Sequence, residues 1–337
     1  MLIPMLILAA GLIVLIVGAD QLVKGASSIA VKFGLSSLLI GLTVVAFGSS
    51  APEMIVNIFA SLRGSYDVAL GNVMGSNIAN VLLILGIAAI IRPLRVQRVT
   101  IFREIPFAIL AMFVLLAMVS DMYLSGGAAA QDILSRGEGL TLIGFFAIFL
   151  YSAFLSATHV KHDDPIKKKK GSDEDEIMEL KEYSTGLSIV MIVGGLIGLT
   201  IGGQLIVESA ITIAKGFGVS EALIAVTIVA IGTSLPELAA SGVAAYRGNT
   251  DLAVGNVVGS NIFNVLWILG LSSTINPLPI SAGASVDIML ALSATFLLFP
   301  FLFNKNSKGK SGTIERWEGI AFVIAYILFI VFAIWRG

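Results

Sequence analysis

Apolar runs of about 20 residues recur from one end of the chain to the other, broken by short clusters of charge. A helix of that length crosses ~30 Å of hydrocarbon. The pattern predicts ten such segments, at roughly 3–24, 35–62, 69–91, 104–122, 137–157, 185–211, 219–246, 252–274, 281–303 and 315–335. One long polar stretch interrupts them, His159 to Ser184, holding Lys167–Lys170 and then Asp173–Glu176. It reads as a solvated linker. Contact of the lysine run with anionic lipid is a lesser alternative, and calcium sensing by the acidic run a weaker one. The expected organisation is a five-helix unit over 1–157, a charged linker over 158–184 and a second five-helix unit over 185–337.

Composition agrees with a membrane protein. Hydrophobic residues make up 57% and charged residues 13% of 337, and the mean hydropathy is +0.96. A soluble domain carries about 25% charge. No cysteine is present, which excludes thiolate metal sites and leaves the compartment open. The first segment lacks the basic residues that precede a secretory signal's apolar core, so a permanent helix is expected there. Placing the N-terminus outside puts 17 Lys and Arg on the cytoplasmic side and 4 outside. The positive-inside bias therefore predicts both termini outside and the linker cytoplasmic, in a multi-pass cell (inner) membrane protein.

The chain repeats itself. Residues 41–86 and 225–270, at an offset of 184, match at 25 of 46 positions without a gap. The matches are not only apolar: they include Pro52/Pro236, Glu53/Glu237, Arg63/Arg247, Asp67/Asp251, Asn72/Asn256 and Asn77/Asn261. Five predicted segments separate each position from its copy. Five is odd, so the second unit enters the membrane from the opposite face. An inverted pair of this kind favours alternating access over a simple channel.

Each unit holds two polar motifs. The first is Gly48-Ser49-Ser50-Ala51-Pro52-Glu53 and Gly232-Thr233-Ser234-Leu235-Pro236-Glu237. Pro52 and Pro236, beside Gly48 and Gly232, predict breaks in the second and seventh helices. Carbonyls before the break, Ala46 to Gly48 and Ala230 to Gly232, are expected to lose intrahelical partners and to need others in hydrocarbon. Glu53 and Glu237 follow the breaks at mid-run, where a charge costs about 2.5–3.5 kcal/mol on the lenient scale. A structural role through hydrogen bonds to a neighbouring helix is the bland alternative. It is weakened because no Lys or Arg lies at similar depth in the sequence.

The second motif runs Gly71–Asn80 and Gly255–Asn264. Helical spacing puts Asn72, Ser76 and Asn80 on one face, and likewise Asn256, Ser260 and Asn264. Asn77 and Asn261 fall about 100° away, where they are expected to hold the backbone at the helix breaks. Small and polar residues also glue membrane helices, so packing explains this motif as well as function does. Together the motifs offer carboxylates, hydroxyls, amide oxygens and carbonyls, with no His or Cys. That set suits calcium or sodium rather than zinc or copper.

These paired motifs resemble the alpha-repeats of the sodium/calcium exchanger branch of the calcium/cation antiporter superfamily, prokaryotic type. The resemblance covers nearly the whole chain. It implies an all-α membrane protein of ten helices in two inverted five-helix repeats. It implies a secondary antiporter that exchanges sodium for calcium, electrogenic if more than two sodium ions replace one calcium. It implies a calcium site of Glu53 and Glu237 with oxygens of Ser49 and Thr233. Flanking sodium sites would use Ser50, Ser234, Ser76, Ser260 and the carbonyls of Ala46 and Ala230, with Asn80 and Asn264 completing the centre. Potassium-dependent relatives carry an acid in this region, so Asn264 argues against potassium co-transport. The first and sixth helices would slide on the bundle, over small faces made by Gly11, Gly18, Gly194, Gly195, Gly198, Gly202 and Gly203. Transported calcium and sodium and the lipid bilayer are the expected partners, with no cofactor, no nucleic acid, no catalytic residues and a functional monomer. Proton/cation exchange, a cation channel and a non-transporting scaffold are the alternatives.

Overall fold

The computed structural model describes residues 2–124, 126, 131–159, 183–217, 230–281, 283–306 and 312–336. The charged runs of the linker, with His162, lie outside the described residues, as does 219–229 of the seventh predicted segment.

The chain is almost entirely helical. Its main helices are α1 (Leu2–Phe33), α2 (Ser37–Ser49), α3 (Ala51–Leu62), α4 (Tyr66–Ile91), α5 (Thr100–Met118), α6 (Arg136–His159), α7 (Thr185–Gly216), α8 (Leu235–Tyr246), α9 (Thr250–Ile275), α10 (Ala284–Asn306) and α11 (Arg316–Arg336). Among the described residues seven helices are long and apolar enough to span a membrane, or eight when α2 and α3 count as one span bent by 47°. Each of the ten predicted segments contains helix. The shortfall lies in the seventh segment, only partly described, and in the ninth, whose apolar stretch Ala284–Phe299 is shorter.

α1 runs nine residues past its expected end at 24, to Phe33, and α7 runs to Gly216 rather than 211. Asp20 and Lys24 look like a span's end in the sequence. In the structure they form an i,i+4 ion pair at 2.7 Å that the helix carries with it.

The glycines expected to ease sliding instead face each other. Gly18 lies against Gly195, Gly198 and Leu199, and Gly11 against Gly202 and Leu205. A Cβ on Gly18 would stand 2.8 Å from the Leu199 nitrogen and 2.9 Å from the Gly195 oxygen. α1 and α7 are thus locked backbone to backbone, the small-residue contact that membrane helices favour. Gly194 meets nothing within 4 Å, and Gly203 touches only Leu235 and Pro236, no closer than 3.8 Å.

The centre of the fold is α9, whose apolar window is 94% buried, crossing α4 at 72%. Both helices loosen into π-helical turns at the ends of their polar motifs, Ala79–Ile84 and Asn264–Leu269, which take in Asn80 and Asn264. Two short antiparallel ladders tie the halves together outside the helices. β1 (Leu94–Val96) pairs with β4 (Gly312–Ile314), and β2 (Ile133–Leu134) with β3 (Leu278–Pro279).

Replacing Gly18 by Val should force α1 and α7 apart. The expected loss is about 1–3 kcal/mol of stability, the usual range for overpacking. It is read as a lowered unfolding midpoint of the detergent-solubilised protein, and a midpoint at the wild-type value would contradict the packing described here.

Candidate functional site

The helix breaks fall at Ser50 and Ser234. Their backbones leave helical geometry in the same way, at φ −83, ψ 8 and φ −87, ψ 5. Pro52 and Pro236 occupy the first turn of the following helix, where a missing N–H is harmless. Glu53 and Glu237 also sit in that first turn, so each carboxylate lies at a helix N-terminus, whose partial positive charge favours it. Ala46 differs from expectation. Its carbonyl accepts the Ser50 amide at 3.0 Å and the Ser49 hydroxyl at 3.4 Å, so it is not orphaned. In the second unit the Ser234 amide bonds the Ile231 carbonyl instead. Ala230 starts the helical turn Ala230–Gly232, and its side chain lies outside the described residues.

The hydrogen bonds run between the halves. Ser50 Oγ donates to Glu237 Oε1 at 2.7 Å and lies 3.0 Å from Ser260 Oγ. The copy of this contact is Ser234 Oγ to Glu53 Oε1 at 3.4 Å, with Ser76 Oγ at 3.2 Å. Ser49 Oγ donates to Asn256 Oδ1 at 3.1 Å, and Thr233 Oγ1 to Asn72 Oδ1 at 3.4 Å. Ser50 and Ser234 therefore each bond the other unit's carboxylate, and Ser260 Oγ adds a longer bond of 3.5 Å to Glu237 of its own unit. Glu53 and Glu237 are each 1% exposed, and they lie close enough to interact electrostatically. Among the described residues neither has a cationic partner.

One turn beyond Ser76 and Ser260, four asparagines clasp α4 to α9. Asn80 Nδ2 donates to Asn261 Oδ1 at 2.8 Å, and Asn264 Nδ2 to Asn77 Oδ1 at 3.0 Å. Asn77 and Asn261 each donate to the other's backbone carbonyl, at 3.4 and 3.3 Å. Asn77 and Asn261 are thus expected at the helix breaks and found at the crossing of two unbroken helices. Their amides are spent on one another, which frees the Asn80 and Asn264 oxygens.

Sequence reasoning missed Asn57 and Ser241. Asn57 Oδ1 accepts from Asn72 at 2.6 Å, and Ser241 Oγ accepts from Asn256 at 2.9 Å. They orient the amides that meet Ser49 and Thr233. The signal was present: both lie one helical turn after a glutamate, at the same repeat offset.

Four buried oxygens in this centre have no hydrogen-bond partner: Glu53 Oε2, Glu237 Oε2, Asn80 Oδ1 and Asn264 Oδ1. They form two pairs at the repeat offset. An unpaired buried acceptor costs about 1–3 kcal/mol, and more when charged. Two matched pairs of such acceptors fit a cation, with hydroxyls beside them and no nitrogen or sulfur ligand. Leu196 and Val207 of α7 press on Gly48 and Gly232 at the two breaks and screen the centre.

The fold and its centre are those of an integral membrane protein with a buried, twice-repeated oxygen site. The chain belongs to the sodium/calcium exchanger protein family, whose profile matches residues 3–155 and 187–335. This is a family of transporters, not of enzymes. The chain is 40% identical to "Putative antiporter CaxA" of Alkalimonas amylolytica, over 97% of each chain. It is 33% identical to "Sodium/calcium exchanger MaX1" of Methanosarcina acetivorans, again over 97% of each. A solved structure of the sodium-calcium exchanger NCX_Mj superposes with a TM-score of 0.78, at 32% identity and 98% coverage of both chains.

Asn77→Ala should leave the Asn264 amide without its acceptor and the Asn261 backbone carbonyl without its side-chain donor at the crossing. A loss of about 1–3 kcal/mol is expected, read as a fall in unfolding midpoint. Full stability would contradict the clasp.

Proposed function

We propose that this chain is a sodium/calcium antiporter working by alternating access. The observation that carries the reading is the set of four partnerless oxygens from Glu53, Glu237, Asn80 and Asn264 at the contact of the two units. Hydration is what a cation gives up on entering hydrocarbon. A calcium ion takes 6–8 oxygens, carboxylates foremost. Glu53 and Glu237 neutralise it, and Ser49 and Thr233 are its neighbouring hydroxyls. Sodium occupies smaller sets drawn from the same oxygens: Ser50, Ser234, Ser76, Ser260 and the second lone pairs of the Ala46 and Ala230 carbonyls. The carboxylates serve both ions, so calcium and sodium exclude each other, which is the condition for exchange.

The reading includes ten spans in two inverted units, 1–157 and 185–337, with the linker cytoplasmic and both termini outside. The short ladders support this parity. The β1 and β4 connections are six predicted spans apart, and those of β2 and β3 four apart. Both separations are even, so each pair shares a side of the membrane. The site draws only on residues of one chain, which makes a monomer sufficient. Exchange of more than two sodium ions per calcium moves net charge, and the potential then contributes ~2.3 kcal/mol per charge per 100 mV. Asn264 stands where an acid would be needed for potassium, so transport is potassium-independent.

Inverted vesicles carrying this chain should take up radioactive calcium when a sodium gradient is imposed, at the same rate with potassium absent. Uptake indifferent to sodium but driven by a pH gradient in sodium-free medium would replace this reading with proton/calcium exchange.

A further inference from the structure

The two units use one matched arginine in different ways. Arg247 forms an ion pair with Asp20 of α1, and Asp20 pairs with Lys24 as well. The Arg247 and Asp20 side chains are only 18% and 23% exposed. Two residues on, Asn249 caps α9 through its Oδ1, while its Nδ2 donates to Ser27 Oγ of α1 at 3.0 Å. α1 is held along α8 by these contacts and by the packing of the two helices.

At the other end every polar partner has changed. The repeat offset puts Gln204 where Asp20 stands, Ile211 where Ser27 stands and Ser65 where Asn249 stands. Gln204 Nε2 donates to Glu208 Oε1 within its own helix, at 2.8 Å. The Ser65 side chain makes no capping bond. Arg63 stacks over the Phe59 ring at 5.9 Å and, among the described residues, forms no ion pair. α7 does not pack along α3 as α1 packs along α8. An open groove lined by Ile55, Phe59, Arg63 and Val68 takes its place. Val68 is 55% exposed there, whereas its copy Leu252 is 1% exposed. Bulk differs too: Ile55 and Phe59 stand where the latched side has Ala239 and Val243.

We propose that Asp20 and Arg247, with Ser27 and Asn249, form a one-sided latch that holds the cytoplasmic end of the transporter shut. This rests on the topology and alternating access proposed above. The scaffold repeats, so α7 covering the Ile55–Val68 groove is the natural alternative to α1 covering α8. Among the described residues, the ion pair and the hydrogen bond from α1 to α8 hold the cytoplasmic closure, and no matching pair links α7 to α3. The resting chain is therefore shut towards the cytoplasm, and inward opening requires Arg247 to part from Asp20. Arg247 and Asp20 are positioning residues: they touch no transported ion and set which side the site faces.

The chain has no cysteine, so a single Val243→Cys substitution on α8 gives a clean reporter for a membrane-impermeant maleimide applied from the cytoplasmic side. In that background Asp20→Asn and Arg247→Gln should each speed labelling about fivefold, equivalent to ~1 kcal/mol in the closed–open equilibrium. The double variant should label no faster than either single one, because both remove one interaction. Arg247→Lys should stay near the unsubstituted rate, and Arg63→Gln should leave it unchanged. Unchanged labelling in Asp20→Asn and Arg247→Gln, or effects of the two that multiply, would overturn the latch. Labelling reads the latch and sodium-driven calcium flux reads the exchange, so either can fail without the other.

Discussion

Two carboxylates held at 1% exposure inside a helical membrane protein set the terms for everything around them. Burying one such charge is expensive, and burying two in one centre is more so. The chain meets the cost with local dipoles rather than with fixed cations. Each glutamate starts a helix, and each accepts a serine hydroxyl from the opposite unit. Half of each carboxylate is satisfied in this way and half is not. A fixed Lys or Arg would have silenced both oxygens permanently. Leaving them partnerless keeps a place for a charge that comes and goes.

The same constraint explains the clasp between α4 and α9. An asparagine brings two donors and an acceptor, and four of them at one crossing could easily consume each other completely. Here Asn77 and Asn261 absorb the donors, and the Asn80 and Asn264 oxygens are left over. The π-helical turns there show the helices giving way at this point, as happens often at functional sites. Symmetry at the centre contrasts with asymmetry at the ends, where Asp20 holds Arg247 and Gln204 leaves Arg63 without a carboxylate. In the alternating access proposed above, the first feature serves binding of one ion from both sides, and the second a resting state with one side shut.

Much of the site was legible because duplication marks it. The offset of 184 singles out Glu53 with Glu237 and Ser50 with Ser234 in the sequence alone. An alignment of copies says which residues correspond, however, and not which ones touch. It gave no hint that Ser50 serves Glu237 rather than Glu53, or that Asn77 and Asn261 bond across a crossing instead of at a break. Asn57 and Ser241 escaped notice because they differ in type, although each fills the same office one turn past its glutamate. Helix length was misjudged in α1 for a related reason: Asp20 and Lys24 signal a boundary only if their partners are water, and here they are each other and Arg247. Of the glycines named from the sequence, Gly11, Gly18, Gly195, Gly198 and Gly202 pack α1 on α7 and Gly194 and Gly203 do not, since small residues announce a close approach without naming what approaches.

The central claim is that Glu53 and Glu237 are halves of one ion site. Equilibrium binding of radioactive calcium to the purified chain in sodium-free detergent tests it most directly. The account predicts one calcium per chain, with Glu53→Gln and Glu237→Gln each abolishing binding rather than halving it. Two calcium ions per chain, or one surviving in either variant at wild-type affinity, would contradict it.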